Sequence, residues 1–107
     1  MSDPGRLKHR LVLEAPSEAP DGAGGVTRSF VPVATVWAEL VPVLARRDVP
    51  AAGLAASVTH RIVIRRGPDV TTRHRFLNGG RIFRVIALRD EDADRRFLEI
   101  QAEERVD

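Results

Sequence analysis

The chain has no cysteine and no tyrosine, and a single tryptophan and a single methionine among 107 residues. Without cysteine it can form neither a disulfide nor a thiolate-ligated zinc site, so the fold has no covalent staple and needs no oxidising compartment. With aromatic residues at 5%, it is poor in the rings on which single-stranded nucleic acid stacks. No apolar run is long enough to span a bilayer. The opening MSDPGRLKHR passes from polar to basic without the apolar core of an export signal. The expectation is a cytoplasmically made protein with no membrane partner.

Lysine is scarce as well: Lys8 is the one lysine among 17 basic residues. The net charge of +2 hides an uneven distribution. Seven arginines lie between Val58 and Arg84 against Asp69 alone, whereas Arg89 to Asp107 holds eight carboxylates against four arginines. Such polarity allows subunits to stack plus on minus, or steers an anionic ligand to one end; solvated faces with no partner account for it equally.

What the chain does contain is alternation. In residues 7–14, Leu7, Leu11 and Leu13 share one face with His9, and Lys8, Arg10 and Glu14 take the other, the pattern of a half-buried strand. Residues 15–29 (APSEAPDGAGGVTRS) are rich in proline, glycine and small polar residues and predict a long flexible loop. Residues 30–43 (FVPVATVWAELVPV) predict a second strand, with Pro32 and Pro42 confining its paired part to about 33–41. Alanine favours helix in residues 44–57, but Pro50 and Gly53 limit it to a short helical insert. A third strand spans 58–66, ended by the turn Gly67-Pro68-Asp69. Residues 73–77 and 81–88 flank Asn78-Gly79-Gly80 and predict a tight hairpin. In a last strand, 96–103, Leu98, Ile100 and Ala102 share one face. The whole predicts a mainly all-β fold: one domain over 1–107, a small antiparallel barrel or sandwich of five to six strands. Ile62, Ile64, Phe76 and Phe83 are candidates for its core, and Trp37 for the core or an interface.

No catalytic constellation emerges. His9, His60 and His74 are scattered, with no nucleophile and base in a recognisable motif. His60 shares a strand face with Ile62 and Ile64, which marks it as a hydrogen-bonded histidine in or at the rim of the core. The run Asp90-Glu91-Asp92-Ala93-Asp94 lacks the glycine and closing glutamate of a calcium loop and reads as an acidic turn. Gly22-Ala23-Gly24-Gly25 precedes no Gly-Lys-Ser/Thr and opens no helix, so it is no phosphate cradle. Neither an enzyme nor a cofactor or metal site is expected. Nucleic-acid binding has its basic half in the arginines of residues 58–84, but Phe76 and Phe83 are its only phenyl rings there, and arginine alone contacts phosphate without reading sequence.

In order along the chain, LKHRLVLEAP, a glycine-rich stretch ending GGVTRSFVPVATVWAELVPV, ASVTHRIVIRRGPDVTTRHRFLNGGRIFRVIAL and RRFLEIQAEE resemble the head-tail joining proteins of tailed phages. These are also called head-closure or stopper proteins, and relatives occur in gene-transfer agents. The most specific pieces are ATVWAE at 34–39, THRIVI at 59–64 and Gly79-Gly80-Arg81-Ile82-Phe83. The resemblance implies a homo-oligomeric ring of β-barrels in the virion or virus-like particle. The ring sits at the head-tail interface below portal and adaptor proteins, continues the channel for packaged double-stranded DNA, and receives the tail terminator or tail tube proteins. It also implies that the loop after the first strand gates the channel, here Asp21, Gly22, Gly24, Gly25, Val26, Thr27 and Arg28. Arg61, Arg65, Arg66, Arg73, Arg75 and Arg81 would then meet subunits, partners or the channel wall without sequence-specific reading. The alternative is a free-standing nucleic-acid-binding β-barrel.

Overall fold

A computed structural model describes residues 4–43, 58–91 and 93–105. After a short 3-10 turn at Pro4–Arg6, six strands follow: β1 (His9–Pro20), β2 (Val26–Pro42), β3 (His60–Arg65), β4 (Arg75–Asn78), β5 (Arg81–Asp90) and β6 (Phe97–Arg105). They close into an antiparallel barrel in the order β1-β2-β3-β6-β5-β4, with β4 returning to β1. The all-β barrel expected from the alternation is what forms. The helical insert expected at 44–57 lies outside the described residues.

Inward-facing residues of every stave fill the barrel. Leu11, Leu13, Ala38, Ile62, Ile64, Phe76, Phe83 and Ile100 are fully buried, and the two phenyl rings sit on directly paired positions of β4 and β5. Such cross-strand aromatic pairs stabilise a sheet beyond the area they bury. Gly79-Gly80 makes the two-residue turn between them, with Gly79 at φ 60°, a conformation that a side chain would strain. On β3 and β6 the outer face is covered too: Val63, Phe97 and Glu99 are buried. Arginines lie across them, Arg65 over the Phe97 ring at 5.4 Å, and Arg61 and Arg89 on Glu99 at 3.8 and 2.9 Å. Long arginine stems shield apolar surface while their heads stay in reach of water.

Residues 15–29 are not the irregular loop that their composition predicts. β1 continues to Pro20 and β2 starts at Val26, paired from Ala15↔Val31 to Pro20↔Val26. The reason lies on β2, where Val26, Thr27, Phe30 and Val31 have the β-propensity to extend a ladder already begun in the barrel. Pro16 and Pro20 do not prevent it. β1 meets β4 only through Val12, Leu13 and Glu14, so both prolines lie beyond β4 on an open edge, where a missing N–H costs nothing. The tip is a built turn. Asp21 Oδ1 accepts the amides of Ala23 and Gly25 at 2.8 and 3.1 Å, while Gly22 and Gly24 take φ of 83° and 89°, open to glycine but costly to other residues.

Candidate functional site: a projecting arm and its flanks

Two irregularities turn one end of the barrel into an arm. Between Leu13↔Ala34 and Glu14↔Pro32 the register slips, leaving Val33 as an extra residue on β2, and a bulge of this kind bends and twists its strand. Neighbouring strands also stop there: β2 pairs with β3 only from Ala38 onward, and β1 has no β4 partner beyond Glu14. From the bulge outward, β1 and β2 are a two-stranded ribbon, exposed on both faces from Glu18 and Arg28 to the tip. The β2 edge from 26 to 37 has no ladder partner other than β1 among the described residues. Val26, Phe30, Val31, Val33 and Trp37 are all exposed along it, Trp37 by 58%.

The gating residues expected from the resemblance therefore sit together at the tip and outer third of this arm. Asp21, Gly22, Gly24 and Gly25 make the turn, and Val26, Thr27 and Arg28 open β2. The amides of Ala23 and then Gly25 hold the Asp21 carboxyl below the ordinary aspartate range. Arg28 is tied to Glu18 across the ribbon at 2.7 Å. Of the remaining candidates, Ile62, Ile64, Phe76 and Phe83 line the core, whereas Trp37 stands on the outer wall opposite Arg10. A core role for Trp37 is thus removed, and the interface alternative remains.

The basic half of the sequence does not survive folding as one positive patch. Arg61 meets Glu91 at 3.6 Å as well as Glu99, Arg66 pairs with Asp90, Arg75 with Glu14 at 2.7 Å and Arg81 with Glu104 at 2.8 Å. The β3–β6 and β5–β6 ladders bring the two oppositely charged stretches into register, so they neutralise each other within the chain. Arg65 lies over Phe97, and Arg73 forms no ion pair with a described residue. Asp90 and Asp94 of the acidic turn are likewise paired, with Arg95 and Arg96 at 3.5 and 3.6 Å.

His60 is where its pattern placed it, packed edge-on against Phe83 with ring centroids 5.0 Å apart. Thr59 Oγ1 lies 2.9 Å from Nδ1, and Arg81 Nη2 lies 3.4 Å from Nε2. Burial lowers its pKa; Glu104 opposes that shift and Arg81 adds to it. Arg81 in turn lowers the pKa of Glu104 through their hydrogen bond. This is a structural group at the rim of the core. Among the described residues no group of three or more His, Asp and Glu side chains is placed to hold a metal ion.

The fold is a closed antiparallel barrel that carries an arm whose β2 edge has no partner beyond β1 among the described residues. The chain belongs to the phage head completion proteins, whose family pattern it matches over residues 2–105. Head completion, a structural role, is therefore its task. Two solved structures are similar. One is a chain from the virion of a native gene transfer agent particle, 30% identical with a TM-score of 0.69, covering 94% of this chain and 96% of that one. The other is the solution structure of protein SF1141 from Shigella flexneri 2a, 26% identical with a TM-score of 0.75, covering 96% of each chain. No curated protein sequence matches.

Sequence reasoning misses the β2 edge, because nothing in residues 26–37 says where β3 ends. It also misses Arg84 and Arg105, each unremarkable within its own alternating strand.

Proposed function

We propose that this protein is the head-closure component of a tailed-phage or gene-transfer-agent particle. Copies form a ring beneath the portal and adaptor, continue the channel for packaged double-stranded DNA, and offer the tail its docking face. The chain is made in the cytoplasm of the bacterial host and ends at the head-tail interface of the particle. The observation that carries this reading is the unpaired apolar β2 edge. A long exposed strand edge templates pairing with other chains, and stable monomers blunt such edges; here Pro32 and the adjacent bulge at Val33 interrupt the edge between 26 and 37, and the stretches on either side stay open. A neighbouring copy gives the edge a partner by strand addition. Trp37 and Val33 supply apolar contact beside it, and Arg65 and Arg73 are the members of the basic set left without an internal carboxylate. Arms gathered around the ring axis reach a local concentration far above that in solution, which favours their pairing into a gate. Arg28 stands near the tip to meet passing phosphates.

The test is an arm-truncated variant in which an Asn-Gly turn joins Pro16 to Phe30. It should fold, form rings and build particles that lose packaged DNA. Amides of residues 21–29 should exchange rapidly in the free protein, since an isolated two-stranded ribbon is marginal, and gain protection on assembly. Full DNA retention by truncated particles, or equal protection before and after assembly, would refute the gate. Tight binding of duplex DNA by the free chain, with no ring formed, would favour the free-standing nucleic-acid-binding barrel.

A further inference from the structure

Where the arm leaves the barrel, its flank and the β4–β5 edge enclose a cavity of about 400 Å³ lined by Phe30, Thr72, Arg73, His74, Arg75, Ile82, Arg84 and Arg105. No carboxylate lines it. Arg75 is held in place, its guanidinium 3.9 Å above the Phe30 ring and its Nε on the buried Glu14. Arg84 is paired directly across the β4–β5 ladder with Arg75; Glu14 already meets the charge of Arg75, so Arg84 is the one of the two left without an ion pair among the described residues. Arg73, Arg84 and Arg105 are exposed and form no ion pair among the described residues. Glu103 stands opposite Arg84 in the β5–β6 ladder without joining the lining. His74 accepts the Thr71 amide at Nδ1, 3.0 Å away, which leaves Nε2 as the donor of the neutral ring. A second cavity of about 460 Å³ shares Phe30 and Arg73 and continues along the arm past Pro16, Ser29 and the mutually paired Glu18 and Arg28.

We infer that this cleft is a receptor for an extended acidic segment of a partner protein, carboxylates on Arg73, Arg84 and Arg105 and an apolar side chain on Phe30 and Ile82. Guanidinium forks suit carboxylate and phosphate alike, so shape and floor decide between them. The phosphates of a duplex lie on a convex surface; they would touch the rim and leave the Phe30 and Ile82 floor empty. A peptide fills both, and the second cavity gives it length. The segment belongs to another protein, because the acidic turn of this chain has Asp90, Glu91 and Asp94 already paired internally.

Fluorescence anisotropy on the isolated full chain tests this without requiring ring assembly. The probes are a labelled Asp-Glu-Leu-Asp-Glu-Leu peptide, its Asn-Gln-Leu-Asn-Gln-Leu counterpart, and a short labelled duplex DNA at the same salt concentration. The acidic peptide should bind, and the amide peptide at least tenfold more weakly. Each of Arg73→Gln, Arg84→Gln and Arg105→Gln should weaken binding by about tenfold, the scale of one charge-assisted hydrogen bond. Arg10→Gln, exposed on another wall, should leave it unchanged. Melting temperatures of the variants report that the fold is intact. Equal binding of the two peptides, no binding of the acidic one, or loss with Arg10→Gln as large as with Arg84→Gln would overturn the proposal. Duplex binding tighter than peptide binding and lost in the same three variants would overturn it in favour of a nucleic-acid site.

Discussion

The same two strands build one wall of the closed barrel and the exposed arm that leaves it. In the barrel, β1 buries Leu11 and Leu13 completely, flanked by β2 on one side and β4 on the other. A few residues on, the hairpin leaves Val31 and Val33 41% and 53% exposed. Side-chain character hardly changes between the two regions. What changes is the number of neighbouring strands, and with it whether an apolar face has anything to pack against. An arm of this sort is stable only as an extension of a ladder nucleated elsewhere, and its remaining bonding capacity is directed outward.

The sharpest way to test the contrast is to damage the barrel. Phe83→Ala removes a fully buried ring that touches His60 and faces Phe76; it should cost roughly 3 to 5 kcal/mol, a large part of the stability of a domain this size. Urea denaturation would show the midpoint fall, with the arm lost in the same transition. A variant that keeps wild-type stability would mean the core is not where the barrel's cohesion resides.

A second test uses acid. Burial lowers the pKa of His60 below the ordinary 6.5, so just under pH 6.5 the unfolded chain holds more protons than the folded one. Stability should therefore fall as pH drops through that window and be level above it. Thermal melts at pH 7 and pH 5 should show a smaller drop for His60→Gln than for the wild type. The lowered carboxyls of Asp21 and Glu104 add a further loss only as pH falls into the carboxylate range. Identical slopes for the two proteins would remove His60 from the account.

The smallest stability effect belongs to the outer wall. Trp37→Ala should shift unfolding by no more than about 0.5 kcal/mol, as exposed substitutions do, yet ring formation, measured by sedimentation, should be lost if Trp37 is an interface anchor. Rings formed as well as by the wild type would return Trp37 to the status of an idle surface residue.

Much of the barrel is legible in the sequence. The alternation of residues 7–14, 58–66 and 96–103 names the inward faces, and Asn78-Gly79-Gly80 announces its hairpin, because side-chain period and turn chemistry act over a few neighbours. The arm is not legible, for a related reason. Proline, glycine and alanine in residues 15–25 weigh against a strand in isolation, and no local rule records that β1 is already anchored at Leu11 and Leu13 when it reaches Pro16.

By itself, then, the order of residues determined the staves, their inward faces, the tight turn and the place of His60 beside the core. Only tertiary structure decided that β3 stops short and leaves β2 with an open edge, as β4 does for β1, that Trp37 faces water, and that Arg61, Arg66 and Arg81 meet the acids of the last two strands and the turn between them. The same closure gathered Arg73, Arg84 and Arg105 around one cleft. Those outcomes depend on which strands become neighbours and where each ends, a matter of register between segments far apart in the chain.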